Sequence, residues 1–215
     1  SYEKDTVLAF NILDSSKKVP TRLEVADEYV KLKKFDFDFQ PDLIILDGGD
    51  TYASKQIIER FPRAISVLKV DRFNQDIAAI ALKVNYLICS LDFASDVMKS
   101  PVDKSNVSSL VNCYTELRNR FEHQNIIITL GSNGAMYLVD DQIKISPALK
   151  MDIVDNSGCG DIFTGAFCYG LAASYPLEKA IKYGNIAAGL ATRTIGGRLS
   201  IPKLDEVNKI YEKNN

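Results

Sequence analysis

Apolar residues along this chain gather in short runs, separated by longer stretches in which they recur at helical spacing. Residues 5–14, DTVLAFNILD, read as a strand. A polar, turn-rich loop follows, SSKKVPTR, and residues 22–34 carry a short helical pattern. PDLIILDGGD, residues 41–50, is a near-continuous apolar run closed by Gly-Gly, as expected of a strand buried on both faces. Helix 51–61, strand 64–70, helix 75–83 and strand 85–89 come next, then helices over 92–99 and 103–122. NIIITL, residues 125–130, is a strong buried strand, and residues 135–139 and 142–145 flank Asp140-Asp141 as a hairpin. Beyond Gly158 the pattern is helical to the end, broken near Tyr175-Pro176 and at Gly196–Pro202. Strand-helix alternation implies right-handed crossovers and an α/β fold, a mostly parallel sheet with helices on both faces. Ligands of such sheets bind at the carboxyl ends of the strands.

Composition narrows the class. A chain of 215 residues suits one large domain, or a domain with a subdomain. Its 46% apolar content excludes disorder. No apolar run reaches the ~18 residues of a membrane span, and nothing at the start reads as a signal peptide. The 26 basic and 28 acidic residues leave a net charge of −2, with no basic face or run, so no electrostatic case for nucleic acid arises. Cys89, Cys113, Cys159 and Cys168 form no CxxC pair, which argues against structural zinc and a disulfide framework and for a reducing cytoplasm. His123 is the single histidine, and its polar neighbours RFEHQN suggest a solvated surface position.

Three segments carry candidate chemistry. TLGSNG, Thr129 to Gly134, follows the strand NIIITL directly, and its glycines permit close backbone approach to a ligand. Alone, it is equally a tight turn between two strands. In VDNSGCGDIFTGAF, residues 154–167, Gly158 and Gly160 open a helix that is apolar nearly all round. A Gly-x-Gly turn at a helix N-terminus offers free N–H groups to an anion, and Asp161 lies in the first turn, favoured by the macrodipole. The bland alternative makes Asp161 an N-cap, although Ser157 or Asn156 is placed to cap already. Neither a dinucleotide GxGxxG, which would need glycine where Phe163 stands, nor a Walker loop is present. GNIAAGLATRTIGGRLSIP, residues 184–202, gives a small-residue helix surface from Asn185, ended by Gly196-Gly197. Helix packing with a glycine terminator explains most of that stretch.

In this order and spacing the three segments resemble the PfkB (ribokinase-like) family of carbohydrate and nucleoside kinases, most strongly from residue 125 to 202. The resemblance implies an ATP-dependent phosphotransferase acting on a hydroxyl of a sugar or nucleoside-like substrate, with Mg²⁺ and K⁺ as further cofactors. Asp161 would take the hydroxyl proton, and the N–H groups of Gly158, Cys159 and Gly160 would form an anion hole for the transferred phosphoryl. Thr129, Gly131, Ser132 and Gly134 would hold the nucleotide, with Asn185 near the adenine. Asp155, Ser157, Ala191, Thr194, Gly196 and Ser200 would bind potassium, and Asp47 would be a sugar ligand beside Asp161.

Departures from the family pattern set further expectations. The family's magnesium-organising N-x-x-E string aligns with Ser90-Leu91-Asp92-Phe93, so both motif residues differ. Cys159 replaces an alanine, which implies oxidation sensitivity, and Asn156 replaces a threonine. The family's substrate-binding N-terminal strand-helix portion has no counterpart. The chain is therefore expected to be the C-terminal part of such a kinase, with residues 1–22 as partial lid strands and 23–215 as the α/β core. Lid strands imply a homodimer, and the lost strands an exposed sheet edge. The competing function is a catalytically weakened nucleotide- or metabolite-binding protein on the same scaffold.

Overall fold

The computed structural model describes the backbone of residues 8–12 and 21–25 and the full structure of residues 38–122 and 125–214. β1 (Leu8–Ile12) and β2 (Thr21–Val25) pair antiparallel as a sheet of their own, with Leu8 opposite Val25 and Ile12 opposite Thr21. β2 occupies the start of the segment whose spacing reads as a helix over 22–34, and it crosses residue 22. Its β-branched ends, Thr21 and Val25, suit the strand. The rest of that segment, the loop before β2 and His123 lie outside the described residues.

Among the described residues a second sheet holds six strands in sequence order. β3 (Leu43–Leu46), β4 (Ile65–Val70), β5 (Tyr86–Ser90) and β6 (Ile126–Thr129) run parallel. β7 (Ala135–Val139) and β8 (Gln142–Ser146) continue it antiparallel. Asp140 and Asp141 join β7 to β8 with φ of 51° and 56°, the left-handed pair that a two-residue hairpin needs. β3 is the outer parallel strand, and Ile45 on it is half exposed.

α1 (Thr51–Arg60) links β3 to β4, α2 (Gln75–Ala81) links β4 to β5, and α3 (Leu91–Met98) and α4 (Val107–Phe121) link β5 to β6. Asp50, Asn74, Ser90 and Asn106 begin these helices, and each side chain accepts a first-turn N–H. Side chains alternate across each strand. Leu68, Leu87, Ile126 and Ile128 face α1–α4 and pack with Ile80, Phe93, Leu117 and Phe121. The buried Tyr114 hydroxyl donates to the Ile126 carbonyl at 2.9 Å and fastens α4 to β6. Val67, Ile88 and Ile127 face the other way. There α5 (Cys159–Ala172) and α6 (Leu177–Ala191) cover them with Phe163, Phe167, Ala180 and Ile181. α7 (Leu204–Lys213) packs outside α6 through Val207.

α5 and α6 approach closely because small residues line the seam. A Cβ at Gly170 would lie 2.8 Å from the Cβ of Ala180 and 2.9 Å from its Cα, whereas a Cβ at Gly165 meets nothing within 4 Å. Gly170→Ala is therefore expected to destabilise by about 1–3 kcal/mol through overpacking. Gly165→Ala is expected to stabilise by up to about 1 kcal/mol through helix propensity. Denaturant unfolding of the two variants checks this, and equal shifts would show that the seam is not tight.

Candidate active site

The carboxyl ends of β3–β6 form one edge, and the N-terminus of α5 reaches it from the covered face. Gly158 precedes α5 with φ 74° and ψ 2°, and no side chain caps the helix. Asp161 is thus not the N-cap. It is the third residue of the helix, with its side chain 73% exposed. The Cys159 N–H donates to the Asn156 carbonyl at 3.3 Å, and the Gly158 carbonyl accepts the Ile162 N–H. No side chain caps the first turn, and the Cys159 N–H is held only by its long bond to Asn156.

Asp161 is paired from below. Lys69, on β4, shares the face of Val67, and its Nζ lies 3.0 Å from Asp161 Oδ1 and pairs also with Asp71. Burial by itself would lower the lysine. The carboxylates of Asp71 and Asp161 outweigh that and hold it above its ordinary value, so it is charged at neutral pH. A Cβ at Gly160 would lie 3.7 Å from Lys69 Cε, so the lysine stem runs along the glycine turn. Beside Asp161 opens a cavity of about 670 Å³, lined by Ser157, Gly158, Gly165, Tyr169, Arg198 and Ile201 among others.

Asp155 organises the loop before α5. It is buried, with Oδ1 accepting the Ser157 N–H and Oδ2 the Gly196 N–H, each at 2.8 Å. Burial would raise this carboxyl, but the two backbone donors more than offset it and hold it below the usual carboxylate value. The Ala191 carbonyl accepts the Thr194 N–H, the Gly196 carbonyl accepts the Ser200 N–H, and Ser200 Oγ donates to Gly197. A Cβ at Gly197 would lie 3.1 Å from the Ser157 carbonyl oxygen, so loop and turn are in contact. A carboxylate among main-chain carbonyls is a hard oxygen set that fits an alkali cation. Cys159, the first residue of α5, has its thiol pushed up to about 11 by burial and by Asp155, which favours the protonated thiol.

The remaining sequence candidates fall in two places. Thr129 ends β6, and Gly131, Ser132 and Gly134 make a tight turn into β7 that leaves Gly131 and Ser132 exposed. Gly134 has φ 98°, and a Cβ there would sit 2.0 Å from the Ser146 carbonyl oxygen. Asn185 is buried on α6, and its amide donates to Ser146 O and Oγ at 3.0 Å, so it ties α6 to β8. Asp47 is exposed beyond β3 and accepts the Gly49 N–H.

The residues aligned with a magnesium motif do not fit that task. Ser90 Oγ caps α3 and donates to the Asp71 carbonyl, and Phe93 is fully buried in the core. Asp92 is exposed, 3.9 Å from the Arg72 guanidinium. Among the described residues no three His, Cys, Asp or Glu side chains gather as metal ligands. Lys69, Asp71 and Ser146 went unnoticed in the sequence. Lys69 was signalled by being a charge within a strand otherwise buried on both faces.

Known proteins place these features in context. The profile described as pfkB family carbohydrate kinase matches residues 56–204. A ribokinase of Lactococcus lactis is 35% identical over 82 residues, 38% of this chain and 27% of that protein. The chain thus spans well under half the length of the curated relatives it matches. Arabidopsis thaliana ribokinase complexed with ribose and ATP superposes with TM-score 0.72 at 16% identity, over 97% of this chain and 70% of that one. Escherichia coli phosphofructokinase-2 in complex with potassium gives TM-score 0.66 at 18% identity, over 81% and 58%. These superpositions establish the fold as ribokinase-like, and the profile match, which takes in the glycine turn, Asp161 and the Asp155 loop, establishes descent: the chain belongs to the pfkB family of carbohydrate kinases.

Proposed function

We propose that this chain carries the phosphoryl-transfer core of an ATP-dependent kinase acting on a hydroxyl of a sugar or related small molecule. One observation carries the reading: an exposed carboxylate in the first turn of an uncapped buried helix, at the ligand edge and beside a cavity. Asp161 takes the hydroxyl proton as the substrate oxygen bonds to the γ-phosphorus and the bond to the β-phosphate oxygen breaks, releasing ADP. The N–H groups of Gly158, Cys159 and Gly160 meet the charge on the moving phosphoryl. The Cys159 bond to Asn156 is long enough to be given up. Thr129 and the turn of Gly131, Ser132 and Gly134 border the nucleotide, and Asn185 shapes its far wall through Ser146. Asp47 is offered to the sugar. Because residues 90 and 93 serve capping and packing, no step is assigned to magnesium.

The relatives with ribose, ATP and potassium support the ligand classes. Potassium bound by Asp155, Ser157, Ala191, Thr194, Gly196 and Ser200 would fix the loop that precedes the anion hole. The four free thiols favour a reducing cytoplasm. No helix among the described residues is long and apolar enough to cross a membrane. The β1–β2 ribbon, marginal as two strands alone, would act as the lid and pair between two copies of the chain. Ser90 and Phe93 favour a second reading, a nucleotide-binding protein with little turnover. A coupled ADP-release assay over a sugar and nucleoside panel separates the two.

Asp161→Asn tests the base. The substitution nearly preserves shape, and Lys69 keeps Asp71 as its partner, so the melting temperature should stay within a few degrees and ADP binding should persist. Loss of a general base costs about 10²–10⁴ in rate, so kcat should fall at least about a hundredfold. A variant keeping more than about a tenth of parental kcat removes Asp161 from the catalytic role. For the cation, activity should rise when potassium replaces sodium or Tris, and Asp155→Ala should abolish the response. Identical rates in all three buffers reject the potassium assignment.

A further inference from the structure

Lys69 is a largely buried cation held between two carboxylates beside the glycine turn. Its side chain is 19% exposed, and its ammonium lies beside the N-terminus of α5, the end of a helix that disfavours cations. Asp161 does not require it: that carboxylate is 73% exposed and already stands at the favourable end of the helix. The lysine is held by Asp71 on one side and Asp161 on the other. Its Nζ would be 4.0 Å from a Cβ at Gly160, so the charge abuts the wall of the turn whose N–H groups face the ligand edge.

We infer that Lys69 is a phosphate-contacting residue of this site, its ammonium leaving Asp161 for the terminal phosphate of a bound nucleoside triphosphate. The inference rests on the kinase reading and names the group that supplies positive charge there. At rest Lys69, Asp71 and Asp161 sum to one negative charge. An incoming triphosphate replaces the Asp161 carboxylate as one anionic partner of the ammonium, so the lysine exchanges one charge-assisted hydrogen bond for another. Asp161 is freed to accept the substrate proton, and Asp71 keeps the lysine aimed across Gly160. Ser90 caps α3 and Phe93 lies in the core, so neither brings a further charge to this edge. A fixed cation thus stands where phosphoryl charge must be met.

Calorimetry of AMP, ADP and ATP binding to the parent, Lys69→Met and Lys69→Arg tests this. ATP should weaken at least about tenfold in Lys69→Met while AMP changes less than about twofold, and Lys69→Arg should keep most of the ATP affinity. The same comparison in an Asp161→Asn background removes the alternative that Lys69 merely neutralises Asp161. Contact with phosphate predicts that the loss persists there, and neutralisation predicts that it vanishes. Equal weakening of AMP and ATP, or disappearance of the effect with Asp161→Asn, overturns the role of Lys69 alone. A parent that binds no ATP overturns the kinase reading and this inference together.

Discussion

A right-handed crossover between neighbouring parallel strands puts its helix on the same side each time the sheet grows in one direction. β3 to β6 grow in one direction, so α1 through α4 must share a face. The opposite face carries Val67, Ile88 and Ile127 and stays open to water until the chain returns after β8. The helix that closes it lays Phe163 and Phe167 on that face while Asp161, Gly165 and Tyr169 stay exposed on its outer side, and it enters from the carboxyl edge of the strands. Its unsatisfied first turn is thereby delivered to the edge where ligands bind. The site follows from the covering of a face.

Two aspartates within one short stretch show how environment divides labour. Asp155 is buried, both oxygens are occupied by backbone donors, and it holds the loop to the turn at Gly196. Asp161 stands six residues on, exposed, with one oxygen on a lysine. The first stiffens the backbone that presents the glycine turn, and the second is left available for chemistry.

Much of this was legible in the chain. IIIT is a strand buried on both sides as its apolar run suggests, whereas LIIL, equally apolar, is the outer parallel strand with Ile45 half exposed, and each helix from α1 to α4 announces itself with a capping residue. The glycine turn with Asp161 was legible because few other uses need that combination on an apolar helix. The sequence reading went astray where tertiary contacts outweigh local pattern. β2 lies where spacing suggests a helix, because strand pairing with β1 is not written in its own residues. The tie between the Asn185 amide and Ser146, thirty-nine residues earlier in the chain, is likewise not written in the local pattern. Lys69 shows in sequence only as a charge within an apolar strand, and its pairing with Asp161 is not written there because that partner lies on α5, ninety-two residues later.

Gly134 bears on how the edge moves. Its α-carbon is pressed so near the Ser146 carbonyl that no side chain fits between, and the same Ser146 is held by Asn185. Turn, strand end and helix are thus welded at a single joint. A tilt of α6 drags Ser146 and, through it, the turn after β6. The turn after β6 and α6 are thus two parts of one joint, and a substitution that shifts either is passed to the other through Ser146.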